Sequence, residues 1–313
     1  MNNSYSGKDK ILLVIAGPTA VGKTDLCLRL AKHFNTVIVS ADSRQFYKEM
    51  NIGTAKPSAA ELAEVKHYFI NSHYITQSYT SGAYEADVLT LLDNLFRDKN
   101  IIILTGGSGL YIRAVCEGLD EMPAVNPDVR LHLNTALAQR GLPYLLEELQ
   151  RLDPDYYEEV DRANSQRVSR ALEVCYSSGQ AYSSFRVGGR LKRPFKIIKI
   201  GLNRERQELY HRIDTRMDDM LASGLVEEAK ALYPYRAHNA LQTVGYKEIF
   251  DYLEEKQDWP ETERLLKRNS RRYAKRQLTW FTRDLAFKWF HPEDWAGLLA
   301  YINSVLAETS RRD

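Results

Sequence analysis

In the first third of the chain, apolar residues gather in three compact runs, 11–15, 36–40 and 101–105, each ending in small or polar residues. Runs of this length predict buried strands. The stretches between them read as helices, as 25–31 does (Asp25-Leu26-Cys27-Leu28-Arg29-Leu30-Ala31). Alternation of strand and helix is the α/β pattern of a parallel sheet. Ligands of such sheets bind beyond the carboxyl ends of the strands, which singles out the segments 17–24, 40–45 and 106–109. From Met122 the texture changes. Pro123, Pro127, Pro143 and Pro154 punctuate amphipathic stretches rich in Leu, Glu and Arg, and no strand pattern returns until 195–200. The chain therefore divides into a core, 1–122 with 195–313, and a mainly helical insertion, 123–194. The loop 186–190 reads as flexible, and helices are predicted over 205–222, 226–232, 245–253 and 261–283.

A chain of 313 residues with 44% hydrophobic positions can fill one large core, or a core plus an insertion, without disulfides. Its three cysteines, Cys27, Cys116 and Cys175, are odd in number and widely spaced. Neither a disulfide framework nor a zinc site is expected, which fits a reducing cytoplasm. The first ten residues are polar and the apolar run after them is short, so neither a signal peptide nor a membrane span is expected. The net charge of +2 is unevenly spread. Segment 262–283 carries eight basic residues against Glu263, and segment 186–206 carries eight against Glu205. Two such stretches point to a polyanionic partner larger than a nucleotide, or else to a pair of solvated faces.

Residues Gly17-Pro18-Thr19-Ala20-Val21-Gly22-Lys23-Thr24 match G-x-x-x-x-G-K-[ST] at every fixed position, between a predicted strand and a predicted helix. Its glycines permit a tight turn, so backbone N–H groups and the positive end of the helix dipole converge on phosphate oxygens. Lys23 adds a mobile charge, and the Thr24 hydroxyl suits Mg²⁺. The fold class expected is thus α/β, a P-loop NTPase-like parallel sheet core carrying a mainly helical insertion. The motif alone leaves the phosphate ester open, with ATP the default.

Seven ordered blocks extend the match: 17–24 (GPTAVGKT), 40–57 (SADSRQFYKEMNIGTAKP), 105–112 (TGGSGLYI), 164–174 (NSQRVSRALEV), 212–225 (RIDTRMDDMLASGL), 243–249 (TVGYKEI) and 274–281 (AKRQLTWF). Together they resemble the tRNA dimethylallyltransferase family, bacterial type, over roughly 11–283. The resemblance implies transfer of a dimethylallyl group from dimethylallyl diphosphate, with Mg²⁺ as cofactor. The acceptor it implies is N6 of adenosine 37 in the anticodon stem-loop of tRNAs that read codons beginning with U. On this reading the phosphate loop holds a leaving group rather than ATP.

The chemistry gives each residue a place. Negative charge grows on the departing diphosphate, so cations and N–H donors must face it. The loop 17–24, with Lys23 and Mg²⁺ on Thr24, supplies them. Arg212 and Arg216 lie one turn apart on a predicted helix, and the resemblance places them at the diphosphate; on their own they would sooner be read as making surface salt bridges. Asp42 follows a strand end and is the expected proton acceptor from N6, with a helix N-cap or an indirect Mg²⁺ contact as alternatives. Ser108, in the glycine-rich turn, is placed to bond the bridging oxygen of the diphosphate; the family usually has threonine there. Reading of the extruded base and its neighbours falls to Ser43, Arg44, Gln45 and Arg130, and to Gln166, Arg167, Val168, Ser169 and Arg170. Gly245, Tyr246 and Lys247, with Arg271, Arg272, Lys275 and Arg276, would grip the tRNA backbone. The aromatics Tyr273, Trp280 and Phe281 could stack on bases, but an amphipathic helix must bury one side, which favours a core role.

The segment 67–71 departs from the family pattern, which tends to carry a second histidine and an aspartate there. No Cys/His finger follows the basic helix. Three other readings stand beside the resemblance: a P-loop small-molecule kinase, a prenyltransferase acting on free adenine nucleotides, and a non-catalytic RNA-binding module. The expected protein is a cytoplasmic monomer with no membrane association and no obligate protein partner.

Overall fold

The computed structural model describes residues 10–309, so the polar residues 1–9 lie outside it. By contact density the chain divides into two units, 1–117 with 192–313, and 118–191.

The first unit is built on a six-stranded, wholly parallel sheet: β1 Ile11–Ala16, β2 Ile38–Ser40, β3 His67–Tyr68, β4 Ile101–Gly106, β5 Lys196–Leu202 and β6 Lys288–Phe290. Their order across the sheet is β3-β2-β4-β1-β5-β6. β1 lies at the centre, with Ile11 opposite both Ile101 and Lys196. All six of its residues are buried, since both faces of the sheet are covered. Ile11, Leu13 and Ile15 face one layer, formed by α1 (Lys23–His33), α8 (Arg206–Ala222) and α12 (Trp295–Thr309). Leu12, Val14 and Ala16 face the other, formed by α3 (Ser81–Leu95) and α4 (Gly109–Glu117). A further apolar cluster joins Phe46 and Met50 to Met217, Leu225, Tyr246 and Leu266. It packs the segment after β2 against α8, α9 (Leu225–Leu232), α10 (Tyr246–Leu253) and α11 (Trp259–Phe281). The short α2 (Ala59–Glu64) starts with a capping box, in which the Ser58 hydroxyl accepts from Glu61 N–H and the Glu61 carboxylate accepts from Ser58 N–H.

The second unit is helical: α5 (Pro127–Leu152), α6 (Pro154–Glu159) and α7 (Ser165–Ser178) enclose a core of Leu133, Leu145, Leu149, Val168 and Leu172. α5 breaks at Gly141, whose φ of 77° leaves the helical region two residues before Pro143.

The four strands expected from apolar runs are present. β3 and β6, two and three residues long, were not expected, and β6 falls in a region read as helical throughout. Each pairs with a single neighbour at the sheet edge, so no long apolar run was needed to bury it.

The basic stretch 186–206 is corrected by its packing. Arg193, Lys199 and Arg204 have buried side chains held in ion pairs with Glu85, with Glu117 and Asp284, and with Glu208 and Glu293. Arg186 pairs with Glu159 within the helical unit. Arg193, Lys199 and Arg204 thus serve the protein's interior, whereas Arg186, Arg190, Lys192, Lys196 and Arg206 are exposed, so only part of the stretch is a surface charge.

Candidate active site

The loop 17–24 leaves the carboxyl end of β1 and enters α1. A Cβ at Gly17 would lie 2.8 Å from the Leu202 carbonyl oxygen, so only glycine fits. Gly22 precedes α1 at φ 107°, a left-handed conformation open to glycine. Lys23 Nζ donates to the carbonyls of Gly17 at 2.9 Å and Pro18 at 2.7 Å. Arg212 Nε donates to the Ala20 carbonyl at 2.9 Å. From behind, the buried Arg204 donates through Nε to the Val21 carbonyl at 2.9 Å.

Gln277, near the carboxyl end of α11, closes the turn. Its Oε1 accepts from Thr19 N–H at 2.9 Å, and its Nε2 donates to the Gly107 carbonyl at 2.9 Å. This side chain ties two of the three segments singled out by the sheet pattern. A Cβ on Gly107 would lie 2.2 Å from Gln277 Nε2, so the strut also demands that glycine.

These elements border a cavity of about 330 Å³ at the carboxyl edge of the sheet. Lys23, Thr24, Arg212 and Arg216 line one part, Asp42, Arg44 and Tyr273 another, and Ile213, Met217, Met220, Leu225 and Val244 form an apolar wall. Burial pushes the Lys23 ammonium down to about 8, partly offset by the Asp42 carboxylate and reinforced by Arg216. Burial also lowers the Arg216 guanidinium, with Arg212 adding to the effect. Tyr273 is pushed up to about 12 by burial and then by Asp42. None of Lys23, Arg212 and Arg216 has a carboxylate within ion-pair distance among the described residues. Three cations lining one cavity, with Asp42, Asp25 and Asp219 acting on them only from beyond ion-pair distance, make a site for a polyanion. The surface salt bridges that the two arginines on their own would favour are not formed among the described residues.

Asp42 follows β2. Its Oδ1 accepts from Arg44 N–H at 2.9 Å, an Asx turn rather than the helix N-cap named as an alternative, because a turn and not a helix follows β2. Oδ2 accepts no hydrogen bond among the described residues, which leaves one oxygen available inside the cavity. Ser108 Oγ accepts from Ser43 N–H at 2.9 Å and lies 3.0 Å from Ser43 Oγ. The Gln45 amide is fully used internally, donating to the carbonyls of Thr54 and Ala55 and accepting from Ser40 Oγ. Gln45, which also lines the cavity, thereby holds the backbone at Thr54 and Ala55.

For a divalent cation, the described residues contain no cluster of three or more His, Cys, Asp or Glu able to hold one. Thr24 lines the cavity with a hydroxyl that has no internal partner among them. That donor set suits Mg²⁺, which keeps several waters and completes its octahedron with substrate phosphates.

The residues expected at the tRNA are dispersed. Lys247 is exposed and Gly245 lines the cavity, but Tyr246 is fully buried, with its hydroxyl on Glu228 at 2.6 Å. On α11, Arg272, Lys275 and Arg276 are exposed and carry no ion pair among the described residues, whereas Arg271 is held by Asp214. In the helical unit, Gln166 and Arg167 are exposed, Arg130 and Arg170 share the Glu173 carboxylate, and Val168 is fully buried. Tyr246 and Val168 thus have no surface to offer a nucleic acid. Both belong to apolar faces that their helices must bury. The Ser169 hydroxyl is buried without a partner among the described residues. Phe281 is core, Tyr273 lines the cavity, and Trp280 is 36% exposed.

Gln277 and Arg204 were given no role from sequence. Gln277 lies inside the block 274–281, but a lone amide on an amphipathic helix has no signature of its own. Arg204 was counted in a basic stretch.

Comparison with known proteins adds a family. The sequence model of the IPP transferase family matches residues 45–284. The tRNA dimethylallyltransferase of Cytophaga hutchinsonii is 49% identical over 96% of this chain and 99% of its own length. A tRNA dimethylallyltransferase 1 of Porphyromonas gingivalis is 50% identical over 91% of this chain and 95% of its own. Among solved structures, the tRNA isopentenylpyrophosphate transferase of Bacillus halodurans superposes with a TM-score of 0.72 at 35% identity, covering 97% of this chain and 99% of that one. A eukaryotic dimethylallyltransferase acting on tRNA gives 0.75 at 26% identity, covering 92% and 75%.

Proposed function

Because the chain belongs to the IPP transferase family, we propose that the cavity between the phosphate loop and α8 binds dimethylallyl diphosphate and passes its five-carbon group to N6 of adenosine 37 in tRNAs reading codons that begin with U. The protein is a transferase of the tRNA dimethylallyltransferase kind, with the P-loop NTPase-like fold of its structural neighbours. Kinase and purely RNA-binding readings give way to that membership. The observation that carries the donor assignment is the convergence of Lys23, Arg212 and Arg216 on one cavity without an ion-paired carboxylate. The chemistry needs such a place. N6 attacks the allylic carbon, a C–N bond forms, the C–O bond to the diphosphate breaks, and charge accumulates on the leaving oxygens.

Lys23, the two arginines and the N–H groups at the start of α1 stabilise that charge. Mg²⁺, held by Thr24, water and the diphosphate, would neutralise part of it. Asp42 offers Oδ2 to the N6 proton, while the Arg44 N–H keeps the carboxylate in place through Oδ1. Ser108, which accepts from Ser43 N–H in the turn beside the lining residue Gly107, would bond the leaving oxygen. The apolar wall of Met217, Met220 and Leu225 gives the hydrocarbon tail or the base a dry surface. Arg272, Lys275 and Arg276, exposed on α11, supply phosphate contacts that hold the anticodon stem-loop while one base is extruded; in the helical unit, the exposed Gln166 and Arg167 are further candidates.

A cytoplasmic monomer is supported by three buried, unpaired cysteines and by exposed apolar side chains scattered from Tyr74 to Leu285. No described helix is long and apolar enough to cross a membrane. The test is incubation with Mg²⁺, radiolabelled dimethylallyl diphosphate and either bulk tRNA or AMP, beside an ATP hydrolysis control. Label is expected in tRNA alone. Label in AMP would favour the free-nucleotide reading, and ATP turnover without prenyl transfer would overturn the proposal.

A further inference from the structure

The wall of the cavity facing the phosphate loop is the segment 53–57, and its backbone is anchored outside the cavity. Glu228 of α9 accepts four hydrogen bonds. Its Oε2 takes the N–H groups of Asn51 at 2.9 Å and Ile52 at 2.8 Å. Its Oε1 takes the Gly53 N–H at 3.0 Å and the Tyr246 hydroxyl at 2.6 Å. Four donors match the four lone-pair sites of a carboxylate. Gly53 rests on the Tyr246 ring, where an added Cβ would lie 2.7 Å from the ring atoms and the hydroxyl. Beyond Gly53 the chain must pass through Ala55 at φ 48°, a left-handed conformation that costs free energy in a residue with a side chain. It stays there because both sides of the bend are held. Glu228 holds the N–H groups before it, and Gln45 Nε2 holds the carbonyls of Thr54 and Ala55 at 3.2 Å each. Gln45 Oε1 in turn accepts from Ser40 Oγ, which accepts from Asp42 N–H at 3.4 Å.

We propose that Glu228 is a positioning residue for the transfer reaction: it sets the backbone of 51–55 and, through that loop and Gln45, the shape of the donor cavity and the placement of Asp42. The inference rests on the donor reading given above. Glu228 is not among the residues that line the cavity. Its effect reaches the cavity through Lys56 and Pro57, of which Pro57 also lines the small recess beside Lys23 and Thr24.

Glu228→Gln and Tyr246→Phe are compared with wild type. Each removes a hydrogen bond at the same carboxylate, but only Glu228→Gln turns an amide N–H₂ toward backbone donors. Tyr246→Phe leaves all three N–H contacts intact. With folding verified by thermal melts, Glu228→Gln is expected to raise KM for dimethylallyl diphosphate about tenfold and lower kcat about tenfold, with KM for tRNA within twofold of wild type. Tyr246→Phe is expected to keep both donor parameters within threefold. Equal losses of Tm in the two variants with wild-type donor kinetics in both would overturn the proposal and make Glu228 a purely structural anchor. Donor effects of equal size in both variants would also overturn it, assigning the effect to the Tyr246 pair instead. Wild-type enzyme run in parallel separates this from the donor reading itself, because absence of transfer by wild type would refute that reading and not the role of Glu228.

Discussion

The Arg271 Nη1 lies 2.5 and 2.7 Å from the two carboxylate oxygens of Asp214, so α8 neutralises one of the charges that make α11 basic. Asp218 does the same for Lys267 at 2.6 Å, and Glu261 engages Arg264 within the helix. Among the described residues, Arg272, Lys275 and Arg276 are the α11 bases that are both exposed and without an ion pair. Replacing any one of these with Gln is expected to weaken binding of an anticodon stem-loop and to lower the slope of log K against log[salt] by about 0.7–0.9. Arg271→Gln should leave the slope unchanged and cost less than about 1 kcal/mol of stability, since the pair is partly exposed. Fluorescence anisotropy across a salt series reads both. A slope lowered by Arg271→Gln and untouched by the other three would reverse the assignment.

Lys23 sets a pH limit on donor capture. Burial lowers its ammonium to about 8, so the free enzyme loses this cation as pH rises through that value. The kcat/KM for dimethylallyl diphosphate, which reports the free enzyme, should therefore fall about tenfold per pH unit above about 8. Lys23→Arg keeps its charge and should abolish the fall, whatever its absolute rate. A second consequence concerns folding. The folded pKa is below the ordinary 10.5, so between about 8 and 10.5 the unfolded chain binds the extra proton and the Lys23 contribution to stability rises with pH. A flat wild-type kcat/KM profile from pH 7 to 9 would contradict the placement of this ammonium at the diphosphate.

Asp42→Asn preserves shape and removes the acceptor charge. The loss is expected in kcat, on the order of 10²–10⁴, with KM for the donor little changed. Single-turnover measurement separates chemistry from product release. Near wild-type kcat would leave Asp42 only its turn contact with Arg44 N–H.

Gln277→Leu fills similar volume but leaves Thr19 N–H and the Gly107 carbonyl without partners. A loss of about 1–3 kcal/mol per unsatisfied buried group is expected in denaturant unfolding. The donor KM should rise as well, because Thr19 belongs to the loop that receives the phosphates. Unchanged stability together with an unchanged KM would show that the strut holds nothing.

These residues mark where the sequence could be read and where it could not. The apolar runs of β1, β2, β4 and β5 are legible because central strands are buried on both faces, and the phosphate loop is legible because its glycines and Lys23 are required at fixed spacing. β3 and β6 escape notice because edge strands of two or three residues carry no periodicity. Charge was the least reliable guide. Arg193, Lys199 and Arg204 look like a basic surface along the chain, yet each is buried against acids distant in sequence or brought close by helix packing. Arg212 and Arg216 look like ordinary surface arginines, yet they have no ion-pair partner among the described residues. Which acids meet which bases is decided by topology, and a one-dimensional count of charge does not contain it.

The central claim is that this cavity activates dimethylallyl diphosphate for transfer to a tRNA adenosine. The most direct measurement is mass spectrometry of nucleosides from an anticodon stem-loop after incubation with Mg²⁺ and dimethylallyl diphosphate, using wild type and Lys23→Ala. The account predicts N6-dimethylallyladenosine at position 37 with wild type, and its loss with Lys23→Ala while stem-loop affinity is retained. Product formed by Lys23→Ala at the wild-type rate, or no prenylated adenosine with wild type, would contradict it.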